Sequence, residues 1–342
     1  MDGDSTAGIT QLRSNAAETR GQWTMRYDAM QPRFTQDGAV RPVHNAATLT
    51  TPKGDMSFTI GHGQGALALS GGQFGIMSDH NPVTGGVNPV LGFASGEFFA
   101  GATINAAATT QVSVGYSAER QDHEDLDFVS DLDRELQRQL RAREAEALTV
   151  AVEQKITDRF SVDVQWTHLS EADALLGQQT GNSALLGDGS NTDAMTVSVN
   201  YDMGDGLSFD LSVTGGATKT DRNQLLSTSR RALSTAGQLA VNKRGVMTSR
   251  DILRLSVGQP LTVERCELEL TSDQVIDRQT GEIGRVTQSI GIDTKRRYSG
   301  ELVYATPVTD SSELGVMGRY VSAGEQAQDE DFVLGVNFGL RF

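Results

Sequence analysis

The sequence is short of almost everything that stabilises a small exported domain or a helical membrane protein. Cysteine occurs once, at Cys266, so no internal disulfide framework exists. Long apolar runs are missing: 37% of the residues are hydrophobic, and no stretch approaches the roughly twenty apolar residues of a membrane-spanning helix. That excludes a helical membrane protein but not a membrane sheet, in which only alternate residues need be apolar. Proline is scarce, at 7 residues against 37 glycines, a balance that suits many tight turns better than disorder. Positive charge is also in deficit. With 29 Lys and Arg against 44 Asp and Glu the net charge is −15, which argues against nucleic acid or anionic lipid headgroups as a general partner.

Sites of chemistry are equally sparse. The five histidines, His44, His62, His80, His123 and His168, lack metal-ligand spacing. The GHGQG stretch around His62 has no Ser or Asp partner motif and reads as a turn. SGGQFG carries no phosphate-binding Lys. Acidic residues gather between Asp122 and Asp133 and between Asp329 and Asp331, as a solvated loop face does. Calcium or lipopolysaccharide-associated cations are conceivable loop ligands, but no loop has the spacing of a dedicated calcium site. No catalytic, metal or cofactor residue is nominated, no cofactor is expected, and the chain is read as a non-enzyme.

What the sequence has is alternation. At the C-terminus Phe332, Leu334, Val336, Phe338, Leu340 and Phe342 occupy the even positions, while Asp331, Gly335, Asn337, Gly339 and Arg341 are among the odd ones. A period of two with large apolar groups on one face describes a strand whose faces meet different surroundings. A terminal edge this greasy invites association unless the sheet closes on itself and the apolar band meets lipid. The same rhythm recurs in Val112, Val114, Tyr116; in Leu148, Val150, Val152; in Phe160, Val162, Val164, Trp166; in Met195, Val197, Val199, Tyr201; and in Leu207, Phe209, Leu211, Val213. Gly204-Asp205-Gly206 is a hairpin turn. Cys266, alternating with Leu268 and Leu270, is expected to face lipid.

Counting back from Phe342 to Gln111 yields about twelve strands, with ten or fourteen left open because Gln259-Pro260 and the segment Asp273 to Gly284 fit either a turn or a strand. The expected fold is an all-β, antiparallel transmembrane β-barrel with residues 91–342 as the barrel. Residues 1–90 form a linker, a luminal plug or additional strands. Leu132, Leu136 and Leu140 give one narrow stripe on a helix, in the pore or, preferably, capping an external loop. Trp166, Tyr201, Tyr298, Tyr304 and Tyr320 suit headgroup depth. Glu267 and Glu269 share a predicted luminal face, where ion pairing with Arg254, Lys295 or Arg319 explains them better than acid–base work. The start, MDGDSTAGIT, has neither a basic region nor an apolar core, so a mature product or a piece of a longer precursor is expected.

From about Leu91 onward the chain resembles the C-terminal barrel of subtilisin-like serine protease autotransporters of Gram-negative bacteria. The resemblance rests on LGFASGEFF, GYSAERQDHED, WTHLSEADALLG, LRLSVGQPLTVE, RRYSGELVYATPV and GVNFGLRF, in this order. It implies an outer-membrane translocator and anchor for an N-terminal passenger polypeptide, in that family a subtilisin-like protease. The implied partners are outer-membrane lipid and the barrel assembly machinery, which would read Phe338, Leu340 and Phe342 as an assembly signal. The protease segment itself is absent. Two alternatives remain open: a small porin-like diffusion channel, and an outer-membrane enzyme with its active site on the rim.

Overall fold

The structure, a computed structural model, describes residues 12–20, 23–31, 33–34, 40–41, 44–63, 80–81, 85–86, 88–94, 97–121, 143–172, 174–176, 189–220, 226–228, 231–277, 282–292, 295–309, 312–323 and 330–340. The expected helix around Leu132, Leu136 and Leu140 lies outside these residues.

Hairpins follow one another along the chain. First come β1 (Leu12–Arg20) and β2 (Trp23–Gln31), the two-residue pair β3 (Arg33–Phe34) and β4 (Val40–Arg41), then β5 (His44–Thr50) and β6 (Met56–Gly63). A second small pair, β7 (His80–Asn81) and β8 (Gly85–Gly86), precedes a 3-10 turn at Leu91–Ala94. The long strands are β9 (Phe98–Ala107), β10 (Thr110–Gln121), β11 (Arg143–Thr157), β12 (Phe160–Ala172), β13 (Gly189–Gly204) and β14 (Leu207–Thr220). They are followed by β15 (Leu226–Thr228), β16 (Ala232–Arg244), β17 (Ile252–Asp277), β18 (Glu282–Ile292), β19 (Ser299–Thr309), β20 (Ser312–Val321) and β21 (Asp331–Leu340). From Gln111 onward the strands are β10 to β21; they match the expected twelve in number only, because the stretch on either side of Gln259-Pro260 is one strand, β17, rather than two, and the three-residue β15 is an addition. Residues before it add β1, β2, β5, β6 and β9 to the same 17-stranded sheet.

Each long strand pairs antiparallel with its neighbour, from β1 through β2, β5, β6 and β9 to β14, then β16, β17, β19, β20 and β21. The ends of the sheet, β1 and β21, meet at one parallel pairing, Leu12↔Leu340. Short connections alternate with long ones throughout. Residues 108–109, 158–159 and 205–206 are tight turns at one end of the sheet; at the other end the strands that follow one another, β6 and β9, β10 and β11, β12 and β13, are separated by much longer stretches of sequence. This is the asymmetry of a barrel with short periplasmic turns and long external loops. At the tightest reversal Asp205 and Gly206 both have positive φ, 53° and 75°, as a two-residue primed hairpin turn requires. A Cβ on Gly206 would come within 2.9 Å of the Arg244 carbonyl oxygen, so the glycine also permits the neighbouring strand to approach.

The ambiguous region is one strand with two partners. Ile252 to Gly258 of β17 pair with β19, whereas Cys266 to Asp277 pair with β18. Between them β17 shifts register against β16, around Gln259 and Pro260. Proline cannot donate to a ladder and so belongs at such an irregularity. β17 parts from β19 after Gly258, stays paired with β16 as far as Arg265, and from Cys266 continues as a hairpin with β18.

The two faces differ as alternation predicts. Val164, Trp166, Met195, Val197, Leu211, Val213, Leu255 and Val257 are exposed, while their neighbours Gln165, Thr167, Thr196, Ser212, Thr214 and Ser256 are buried. At the C-terminal strand Phe332, Leu334 and Val336 are 66%, 68% and 61% exposed. On β13 the outward apolar run extends from Met195 to Met203, roughly 27 Å along the strand and about 20 Å of height at a tilt of ~40°. With side chains added, this matches the ~25 Å band of a membrane barrel. Aromatics flank the band: Phe160 meets Tyr201 edge-on near the turns, and Trp166 stacks on His168 near the loops. Cys266 corrects one expectation. It is 4% exposed and buried, on the same even parity of β17 as buried Ser256, Pro260 and Thr262.

Candidate functional site

The inner wall is built from small and hydroxyl-bearing residues. Hydroxyl pairs bridge adjacent strands at Thr103–Ser113, Thr149–Thr167, Thr192–Thr218 and Thr196–Thr214, at 2.9, 3.3, 2.8 and 2.8 Å. Side chains this short leave the backbone as the wall, and the paired hydroxyls satisfy one another across each strand pair.

Into this wall folds part of the connection between β6 and β9. Asn88 is fully buried, and its amide donates to Gln165 Oε1 and to Thr167 Oγ1, both at 3.0 Å. Its own Oδ1 accepts from the Leu91 backbone N–H at 3.2 Å, which starts the 3-10 turn. Val90, Leu91, Phe93 and Ala94 then form an apolar cluster with Ala145 and Ala147 of β11, Leu169 of β12 and Ala194 of β13. Leu261 of β17 also packs against this cluster. β8, just upstream, lies against β16 and β17. The connection therefore reaches both the β11–β13 wall and the β16–β17 wall, across the loop-side half of the lumen.

The turn-side half has a different character. Asp163 accepts from Gln165 Nε2 at 2.5 Å and stands opposite Glu153 in register. Asp210 accepts from the side-chain amides of Asn200 and Asn242, the latter at 2.6 Å. These residues are half-buried or exposed rather than buried. Across the barrel, Arg254 of β17 shares the parity of buried Ser256, and Glu301 of β19 lies in register with both Ser256 and Arg319. Charge of both signs thus faces the lumen.

The residues singled out in the sequence are placed as follows. Arg254 and Arg319 are brought onto neighbouring parts of one face, around Glu301. Lys295 is exposed in the connection between β18 and β19, where the next residue, Arg296, forms a bidentate pair with Glu264. Glu267 and Glu269 are in register with Gly291 and Ser289 of β18, beyond the irregularity and roughly 40 Å along the strand from Arg254. That separation rules out direct pairing with Arg254, and their side chains lie outside the described residues. Phe338 pairs with Leu314 and Leu340 with Ser312; Phe342 lies outside the described residues. His62 sits on β6, in register with Phe98 and Asn45. His168 Nδ1 donates to Asp193 Oδ1 at 2.9 Å on the outer face.

Sequence reasoning passed over Asn88 and the cluster that follows it. The signal was available in NPVLGFA: a short apolar run without alternation, lodged between strand segments and introduced by Asn-Pro. A run that matches no strand face has to bury itself elsewhere, and the lumen is the remaining place.

No family model matches the sequence, and no curated protein matches it. Solved structures do. OmpT, an outer membrane protein of Vibrio cholerae, superposes with a TM-score of 0.52 at 10% identity over 91% of this chain and 77% of its own. A form of that protein with loop L8 deleted reaches 0.53 at 10% identity, over 94% of this chain and 87% of its own. The anion-selective porin of Comamonas acidovorans scores 0.50 at 11% identity, over 97% of this chain and 86% of its own. The chain is an outer-membrane β-barrel. Its outward band is therefore lipid-facing; barrels of this kind place short turns on the periplasmic side and long connections outside. At these identities the likeness establishes the fold alone.

Proposed function

We propose that this outer-membrane β-barrel is a porin-like channel for small polar solutes, narrowed by the segment 88–94. The observation that carries the reading is the docking of Asn88 on Gln165 and Thr167, with Leu91 and Phe93 behind it. A segment anchored by two buried hydrogen bonds and an apolar cluster is a fixed constriction rather than a passing loop. The polar turn-side wall gives a hydrated path to it, and charge of both signs on that wall would sort solutes by ionisation.

The translocator reading draws its support from the six sequence segments after Leu91. Against it stands the same constriction, which occupies space that a polypeptide in transit would need. The channel reading assigns no catalytic step to the chain.

Purified chain, shown to be folded by heat-modifiable migration, would be reconstituted in planar bilayers and in sugar-loaded liposomes. Stepwise ion conductance and passage of small sugars are expected. A folded chain that neither conducts nor admits sugars would overturn the channel reading.

A further inference from the structure

The outer face of the barrel carries its own recognition chemistry in one sector. On β12, β13 and β14 the outward residues form level rows, because the register is continuous: Trp166 beside Met195, then His168 beside Asp193, then Ser170 beside Asn191 beside Lys219. The first row closes the apolar band on the loop side. The next two are polar and lie one and two steps above it, at the depth of outer-leaflet headgroups. Arg231, at the start of β16, joins them, its Nη1 3.9 Å from Asp193 Oδ2. Lys219 and Arg231 are exposed.

Charge in this sector runs against the molecule as a whole. Within a chain of net −15, residues 219–231 include Lys219, Arg222, Arg230 and Arg231 against Asp221 alone. The neighbouring outward sector is different: at the loop ends of β10 and β11, Arg120 is spent on Glu144 at 3.1 Å, and Tyr116 on Glu146. Overall acidity argues against general attraction to anionic lipid, so the cationic sector is a local exception to it.

We propose that Lys219 and Arg231, beside the Trp166–His168 stack, bind a phosphate group of an outer-leaflet glycolipid. The phosphate would sit between the ammonium and the guanidinium, taking charge-assisted hydrogen bonds from both, while the acyl chains lie along Trp166, Met195 and Val197 below. His168 holds Asp193 to one side through its 2.9 Å bond. Asp193 opposes the phosphate by like charge and leaves the site moderate rather than tight.

The test uses the folded full chain in mixed detergent micelles, titrated with bisphosphorylated lipid A or with the same lipid stripped of its phosphates, and read by native mass spectrometry. Wild type is expected to prefer the phosphorylated lipid at least tenfold; equal binding of the two overturns the proposal, whatever any variant does. In Lys219→Gln/Arg231→Gln, loss of roughly tenfold or more in lipid A binding is expected. Arg120→Gln, in the acidic sector, is expected to bind as wild type. Asp193→Asn is expected to bind lipid A more tightly than wild type. Weakening by Asp193→Asn as large as that by the cation variants, or an equal loss in Arg120→Gln, would show that these charges do not form the site.

Discussion

The two halves of the lumen are lined by the same strands yet are solved differently. On the loop side the inward residues Ala145, Ala147, Thr149, Gln165, Thr167, Leu169, Thr192 and Ala194 are buried. On the turn side their successors Glu153, Asp163, Ser198, Asn200 and Asp210 remain half-buried or exposed. Small side chains make room for a segment on one half, and larger polar ones keep the other half wet. The difference shows that an inward face is specified by what it must accommodate, whereas the outward band between the two polar rims is apolar because lipid is the same at every sector.

The largest effect is expected where the segment meets the wall. Leu91 is fully buried in the apolar cluster, and Leu91→Ala should weaken its docking by about 2–5 kcal/mol. Hydrogen exchange would then rise in residues 88–94 while the strands stay protected; unchanged protection of the segment would mean that the cluster does not hold it.

A comparable loss should come from the lipid side. Val197→Arg near the middle of the outward band should cost about 2–4 kcal/mol, whereas Ser208→Arg on the wet inward face should cost little. Equal folding yields of the two variants in liposomes would show the parity to be misassigned.

A smaller effect is expected at Asn88. Its replacement by Ala leaves Gln165 and Thr167 without that amide and should cost about 1–3 kcal/mol. Denaturant unfolding in lipid would show this as a lowered midpoint, and a midpoint equal to wild type would remove Asn88 from the anchor.

The smallest effect lies outside the membrane. In the turn between β16 and β17, Asp251 accepts the backbone N–H groups of Val246, Met247 and Thr248, each within 2.7 Å, and the Tyr304 hydroxyl at 3.0 Å. Burial pushes its carboxyl up, but these donors outweigh it and hold the pKa down to about 2. A depressed folded-state pKa contributes stability that is present above the ordinary value of 3.8 and is lost as pH falls from there through about 2. Thermal unfolding of wild type against Asp251→Asn should therefore differ at pH 6 and converge near pH 2. A gap of the same size at both values would contradict this account of the turn.

Much of the wall could be read from residue order. Strict alternation in β11 to β14 defined strands whose pairing runs without interruption over most of their length, and the Gly204-Asp205-Gly206 reversal fell where its residue types require. β17 was harder because Pro260 sits inside one long strand, so a signal for a turn marked an irregularity instead. Cys266 failed for another reason: its face was taken from Leu268 and Leu270, whereas it shares the even parity of buried Ser256 and Thr262. That Arg254 and Arg319 share one face was legible from alternation, but that Glu301 lies between them was not, since cross-strand register is decided by turns far from it in sequence. The inward segment was least legible, because a loop that docks inside a barrel is chosen by the shape of the wall rather than by a period of its own.

Single-channel conductance of wild type beside Leu91→Asp in planar bilayers tests the central claim most directly. A buried carboxylate in the apolar cluster would drive the segment off the wall, so the account predicts a conducting wild type and a variant of higher conductance that admits larger sugars, with the barrel still heat-modifiable. Identical conductance and size limit in the two folded proteins would contradict it, because the segment 88–94 would then not set the width of the pore.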